Sequence, residues 1–353
     1  MGNNGMEYIR PDGGFRNRLG KSGLKVSKIV LGCMTYGDPN WQPWIMDEAA
    51  ALPLIKHAYD RGINTWDVAD TYSNGRSEEI LGVALKKYNI PRSKVVIMTK
   101  CFHEVDESRG PLDAAGFGTN DGVRVNQVGL SRKHIFDAVE RSVERLGTYI
   151  DVLQIHRLDR NTDMEEIMRA LNDVIVTGKV RYIGASSMAA WEFQMLQNIA
   201  EKHGWHRFIS MQGFYNLLYR EEEREIFPYC AATGVGLLPW SPLAAGVLAH
   251  SWTDRSDKRE QQDVFLKALF RSSEDKSAEE IVHRVSVLAH EKGISMAQVA
   301  TAWVLSKEGT APILGLDSVE RIDQAVEAIN IKLTAEEIAF LEKPYLPKSA
   351  MTF

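Results

Sequence analysis

The feature that most constrains this chain is an alternation of two periods. A short β-branched or apolar run gives way to a segment of helical period, and the pair recurs eight times along 353 residues. The runs are 27–32, 64–69, KVVIMTK (94–100), IDVLQIH (150–156), VRYIGASS (180–187), FISMQGF (208–214), VGLLPWS (235–241) and APILGL (311–316). Strands joined through helices need crossover connections, so they pair in parallel. An open doubly wound sheet and a closed barrel both satisfy that rule, and eight units favour the barrel. A dinucleotide-binding open sheet would also carry GxGxxG directly after its first strand. The glycine runs here, GFGTNDG (116–122) and GVGLLP (234–239), lie in a loop without a preceding strand and ahead of a strand. Both read as turn glycines. The expected fold is α/β, a (β/α)8 TIM barrel with an N-terminal β-hairpin and extra C-terminal helices. One barrel domain is expected over 1–353, with its core at about 27–330.

Local signals place the helices. One spans about 48–61, where Pro53 predicts a later start or a kink. Ser77 is placed to cap the next, with Glu78 and Glu79 in its first turn. Another runs from Ser131 to Gly147. Capping-box spacing marks Thr162 with Glu165, Ser295 with Gln298, and Thr334 with Glu337. Helices are also expected at 189–203, 221–232 and 318–330, while 250–278 reads as a polar excursion.

Composition removes several function classes. The net charge is −5, so the basic footprint of a nucleic-acid or anionic-membrane binder is missing. Cys33, Cys101 and Cys230 are widely spaced, with no CxxC pair, which predicts neither a metal site nor a disulfide framework. The N-terminal MGNNGMEYIR lacks the apolar stretch of a signal peptide, and Met6 stands where a myristoylation signal places Ser or Thr. No apolar run approaches the roughly 18 residues of a membrane span. The expectation is a cytoplasmic protein without membrane or nucleic-acid partners.

In an eight-stranded barrel, chemistry sits at the C-terminal ends of the strands. Those ends carry Asp67 with Tyr72 just beyond, then Lys100, His156, Ser186 with Ser187, Gln212, and Trp240 with Ser241. Singly, each has an ordinary reading: an Asp caps a turn, a Lys snorkels to solvent, a His is a satisfied core residue. On successive strands they converge on one mouth. An Asp inside an apolar strand needs a partner, and Lys100 on the adjacent strand supplies one. A cation beside Tyr72 would lower the phenol's pKa, making it a better acid toward a carbonyl oxygen, with His156 placed to hold that oxygen.

These residues resemble the aldo-keto reductase superfamily from about Phe15 to Asn330. The resemblance is carried by LGKSGLKVSKIVLG, INTWDVADTYSNGRSEEILG, VVIMTK, IDVLQIHRLD, VRYIGASS, MQGFYNLLYR and PWSPLAAGVL, and is nearest to fungal members of the versiconal hemiacetal acetate and aryl-alcohol type. It implies a barrel that binds NADPH (NADP) without a Rossmann domain and reduces a small-molecule aldehyde or ketone. It further implies that Tyr72 is the general acid, tuned by Lys100 and Asp67, with His156 orienting the carbonyl. Ser186, Ser187 and Gln212 would hold the nicotinamide carboxamide and Trp240 would stack on its ring. Ser241, Pro242, Leu243 and Gly246 would line the pyrophosphate path, and Gly315, Arg321 and Gln324 the adenosine end. Two departures stand out: Ser187 replaces a frequent Asn, and Gly315–Asp317 replaces a segment with Lys and Ser. Asp317 disfavours a 2′-phosphate, which Arg255, Lys258 and Arg259 of the excursion could offset. Met34, Tyr36, Trp41, Trp44, Phe102, His103 and Phe117 could wall an apolar or aromatic substrate pocket. Two other readings follow from the same residues: a redox-sensing subunit of the potassium-channel β type, and a Schiff-base lyase using Lys100, which Asp67 opposes by keeping that lysine charged.

Overall fold

The structure, a computed structural model, describes residues 16–106, 122–254, 256, 258–270 and 276–351. A hairpin of β1 (Arg16–Arg18) and β2 (Lys25–Ser27) precedes eight parallel strands. These are β3 (Val30–Gly32), β4 (Thr65–Asp67), β5 (Val96–Cys101), β6 (Ile150–Ile155), β7 (Val180–Ser186), β8 (Phe208–Gln212), β9 (Gly236–Leu237) and β10 (Ile313–Gly315). They neighbour one another in the order β10-β3-β4-β5-β6-β7-β8-β9. Parallel bridges Leu237–Thr310 and Trp240–Ile313 join the two ends, so the sheet closes. The Ile313 N–H donates to the Pro239 carbonyl at 2.8 Å across that seam. The expected (β/α)8 barrel is the observed fold.

Period two along the strands sorts side chains into two layers. Leu19, Val26, Val96, Met98, Val152 and Leu238 form one apolar cluster, with hairpin residues among them, so the hairpin plugs one end of the barrel. Their alternates, including Ile97, Leu153, Ile155 and Ile183, pack outward against helices.

Six helices follow β3 to β8 in turn: α1 (Glu48–Asp60), α2 (Arg76–Lys87), α3 (Arg132–Leu146), α4 (Met164–Val176), α5 (Ala190–His203) and α6 (Ile226–Thr233). Ser131 caps α3 as expected, accepting from the His134 N–H at 3.2 Å. Other local expectations need correction. Helix α1 runs through Pro53 from Glu48 without a later start. The carbonyl that proline leaves unbonded belongs to Ala49, which is exposed to water. Ser77 does not cap α2; Gly75 holds that position and the buried Ser77 hydroxyl donates to the Tyr36 carbonyl. Asp163 rather than Thr162 caps α4, since Asp159 takes the Thr162 hydroxyl at 2.6 Å. The expected 221–232 helix splits into a 3-10 turn at Glu221–Glu223 and the shorter α6.

The largest correction concerns 250–278. It carries α7 (Lys258–Gln262) and α8 (Val264–Phe270) and leads into the 17-residue α9 (Lys276–Lys292), which the polar composition concealed. Leu266 and Phe270 are buried in a second apolar cluster with Ile281, Val285 and Trp303. Then come α10 (Met296–Leu305), α11 (Val319–Ala328) and α12 (Ala335–Glu342), with the two predicted capping boxes at Ser295 and Thr334 both formed.

Candidate active site

Asp67 ends β4 and Lys100 lies two residues beyond its register partner Met98 on β5, so both point inward at the same end of the barrel. Both are almost wholly buried. Removing two ions from water costs several kcal/mol per ion unless their remaining donors and acceptors are matched. Here they are. The Lys100 ammonium donates to Asp67 Oδ2 at 2.5 Å, to the Val68 carbonyl at 2.9 Å and to the Tyr72 hydroxyl at 3.1 Å. Asp67 Oδ1 accepts amide N–H groups from Gln154 and Gln212, each at 2.9 Å. Gln212 gives its other amide hydrogen to Gln154 Oε1, also at 2.9 Å. Gln154 is a site residue that sequence reasoning missed. Its signal was there: it lies two residues from inward-facing Val152 and His156.

The charges follow from this packing. Burial works against the Lys100 cation, but Asp67 and Tyr72 outweigh it and hold Lys100 above its ordinary value. Burial also raises Tyr72, and Lys100 opposes that without reversing it. Lys100 lowers the phenol as expected, but burial outweighs it in the resting site. The phenolate loses more hydration than the nearby ammonium returns. Burial lowers His156 well below its usual value, with Arg157, His103 and Lys100 adding to the effect, so its imidazole is neutral. His156 Nδ1 is buried without a hydrogen-bond partner among the described residues. Its ring meets Tyr72 edge-on at 5.8 Å and His103 at 5.1 Å.

Of the expected wall, Trp41, Phe102 and His103 lie around this centre. The Trp41 ring lies 6.2 Å from Tyr72, and Phe102 packs edge-on against His103 at 5.0 Å. Met34 is half-buried. Tyr36 is corrected out of this wall: it is fully buried in the core and its hydroxyl donates to the Leu316 carbonyl at 2.5 Å. Trp44 is covered by the Arg259 guanidinium at 4.3 Å, so the helical 258–270 segment does reach the loop between β3 and α1. Arg255 and Phe117 fall outside the described residues.

On the other side of the mouth, the Ser186 hydroxyl donates to the Gln212 carbonyl at 2.9 Å. Ser187 accepts from the Trp240 indole N–H at 3.1 Å, and Trp240 rests on Phe214 at 4.5 Å. Both amide hydrogens of Gln212 are committed, so only its oxygen is left for an incoming group. The 241–246 turn is unusual. Ser241, Ala244, Ala245 and Gly246 all have positive φ, and a Cβ built on Gly246 would meet nothing within 4 Å. Pro242 is buried and Leu243 half-buried beside it. Gly315 is exposed at the end of β10. Arg321 Nη1 donates to both oxygens of Asp317, at 2.8 and 2.9 Å. Gln324 is held by Ser295 at 3.1 Å and Glu320 at 3.3 Å.

A closed eight-stranded barrel with buried polar groups gathered at one mouth defines a (β/α)8-barrel enzyme. The sequence matches the Aldo/keto reductase family over residues 28–345, so the chain belongs to that family and is an NAD(P)H-dependent carbonyl reductase. It is 61% identical to a versiconal hemiacetal acetate reductase of Aspergillus parasiticus, over 94% of this chain and 97% of that one. It is 53% identical to a Schizosaccharomyces pombe protein provisionally named an aryl-alcohol dehydrogenase, over 93% and 95% of the two chains. An aldo-keto reductase of Alternaria alternata is 48% identical over 98% and 95%. No helix among the described residues is long and apolar enough to cross a membrane, and no group of three metal-ligating side chains occurs among them.

Proposed function

We propose that the protein reduces an aromatic or otherwise apolar aldehyde or ketone with NADPH, using Tyr72 as general acid. The observation that carries this reading is the Lys100 ammonium, which donates at once to Asp67 and to the Tyr72 hydroxyl. When bound, the nicotinamide supplies the hydride. Tyr72 holds the proton that the carbonyl oxygen takes, and burial keeps that proton on the phenol until it is needed. Lys100 stabilises the phenolate left behind, because the cation's benefit grows as negative charge develops on the oxygen. Asp67 and the two glutamines fix Lys100 in place. His156, neutral, offers a ring N–H to the carbonyl oxygen.

The residues present fit a nicotinamide dinucleotide. The Gln212 oxygen and the two serines fit a carboxamide, half-buried Trp240 offers a ring face, and the open positive-φ turn at 241–246 admits a close backbone approach. Trp41, Phe102 and His103 support an aromatic substrate. The alternative of a Schiff base on Lys100 needs a neutral amine, and the raised Lys100 opposes it. The test is NADPH oxidation by purified protein across aldehydes, ketones and quinones. Turnover of benzaldehyde-type substrates is expected; no oxidation with any of them overturns the reading.

A further inference from the structure

Two loops wall the mouth in the reading above, and both are tied to the turn that follows Tyr72. That turn is backbone in an uncommon conformation. Ser73 and Asn74 have φ of 49° and 54°, and Gly75 follows at 93°. Left-handed backbone costs a non-glycine residue of order 1 kcal/mol, least for Asn. Three such residues in a row persist only where the surroundings hold them.

Ser73 and Asn74 each tie the turn to a neighbouring loop. The Ser73 hydroxyl oxygen accepts the Asp38 N–H at 3.0 Å, from the loop that carries Trp41. A Cβ on the preceding Gly37 would lie 1.9 Å from that oxygen, so only glycine permits the approach. The Asn74 amide pairs at two points with the backbone of one residue of the other loop. Its Nδ2 donates to the Asp106 carbonyl at 2.5 Å, and its Oδ1 accepts the Asp106 N–H at 2.9 Å. Asp106 lies three residues after His103 and four after Phe102.

We propose that Asn74 is a specificity-positioning residue: its paired hydrogen bonds to Asp106 set the distance of the Phe102–His103 wall from Tyr72, and so the size of aromatic carbonyl the site accepts. This rests on the reductase reading given above. Asn74 touches no reacting group in this scheme; it acts through the loop it holds. A side-chain amide suits the task. It offers a donor and an acceptor together to one residue's backbone C=O and N–H, and it tolerates the left-handed backbone the turn requires. Ser73 fixes the opposite wall from the same turn, so the two walls share one reference point next to the acid.

The experiment compares wild type, Asn74→Gly and Asn74→Asp on propanal and on 1-naphthaldehyde, with amide hydrogen exchange followed over residues 103–106. Asn74→Gly removes both hydrogen bonds without adding backbone strain. Asn74→Asp keeps an acceptor for the Asp106 N–H and loses the donor. In Asn74→Gly, KM for 1-naphthaldehyde should change roughly tenfold, as expected for a misplaced apolar wall. KM for propanal and kcat for both should stay within about threefold, and exchange at Asp106 should quicken. Asn74→Asp should fall between. An unchanged ratio of the two KM values overturns the proposal, as does an equal fall in kcat on both substrates, which would mean that the turn supports Tyr72 alone. Wild-type inactivity on both aldehydes would count against the reductase reading instead. Unaltered Asp106 exchange in Asn74→Gly would then still refute the clasp.

Discussion

Two aspartate–cation pairs in this molecule have similar lengths and opposite settings. Asp67–Lys100 spans 2.5 Å with side chains 4% and 0% exposed; Asp317–Arg321 spans 2.8 Å with side chains 39% and 46% exposed. The first is locked. Its ammonium has three acceptors and its carboxylate three donors, because burial leaves no water to take a missing partner. The second is open to solvent, which screens it, so its net worth is small. Distance alone does not separate a fixed element from an exchangeable one. Burial and the count of matched partners do.

Changes at the buried pair and at the tyrosine it holds should have the largest effect. Tyr72→Phe removes the proposed proton donor and keeps the ring, so kcat for an aldehyde should fall by about 10²–10⁴ with cofactor affinity intact. Lys100→Met should cost at least as much activity. It should also destabilise the fold by about 3–5 kcal/mol, because Asp67 is left buried and uncompensated. Urea melts with turnover on the same preparations check both. A Lys100→Met protein of wild-type stability would show that this pair is not the locked element described here.

A third acid sharpens the contrast. Asp70 is 1% exposed and neither of its carboxyl oxygens has a hydrogen-bond partner among the described residues. Burial pushes its pKa well up, and Glu78 adds to that, while the charges of Arg145 and Lys100 pull it back. Its folded pKa thus lies above the unfolded value near 3.8. The stability this gives is full below that value and is lost as pH rises through the folded pKa. Asp70→Asn removes the titration, so the variant should gain on wild type with rising pH. Melting temperatures of both proteins from pH 4 to 8 test this. A constant offset across that range would mean that Asp70 carries no folding-linked proton.

Legibility in the sequence followed the same division. Strand ends were readable because a polar residue after an apolar period-two run has few places to go, which is how Asp67, Lys100 and His156 came together. Gln154 was hidden inside such a run, and its meaning appears only once β6 lies between β5 and β7. Tyr36 failed as a wall residue because a loop aromatic carries no sign of whether it faces the mouth or the core. Ser77 failed as a cap because the tertiary acceptor at Tyr36 competed with the helix N-terminus. The helix at 276–292 was missed because its apolar partners, α8 and α10, are brought to it only by the fold.

The exposed pair should give the smallest effect, and it concerns the choice between NADPH and NADH. Arg321 is bound at both oxygens of Asp317. A 2′-phosphate near α11 would have to draw the guanidinium away from that carboxylate, and the exchange is near balance because water solvates both ends. The phosphate carries more charge and offers the same two-oxygen geometry, so the exchange should favour it. Asp317 then acts as a competitor that limits the preference. We expect wild type to prefer NADPH by roughly tenfold, equivalent to about 1.4 kcal/mol. Asp317→Asn should widen the preference by releasing Arg321, and Arg321→Ala should narrow it, each by less than the wild-type margin. Fold stability should move by no more than about 1 kcal/mol in either variant, as for an exposed pair. Dissociation constants of both cofactors for the three proteins, measured at low and at high salt, carry the test, because a phosphate contact weakens with ionic strength and a ring contact does not. Equal affinities in wild type, unmoved by either substitution or by salt, would mean that this pair is surface decoration and that the phosphate is read elsewhere.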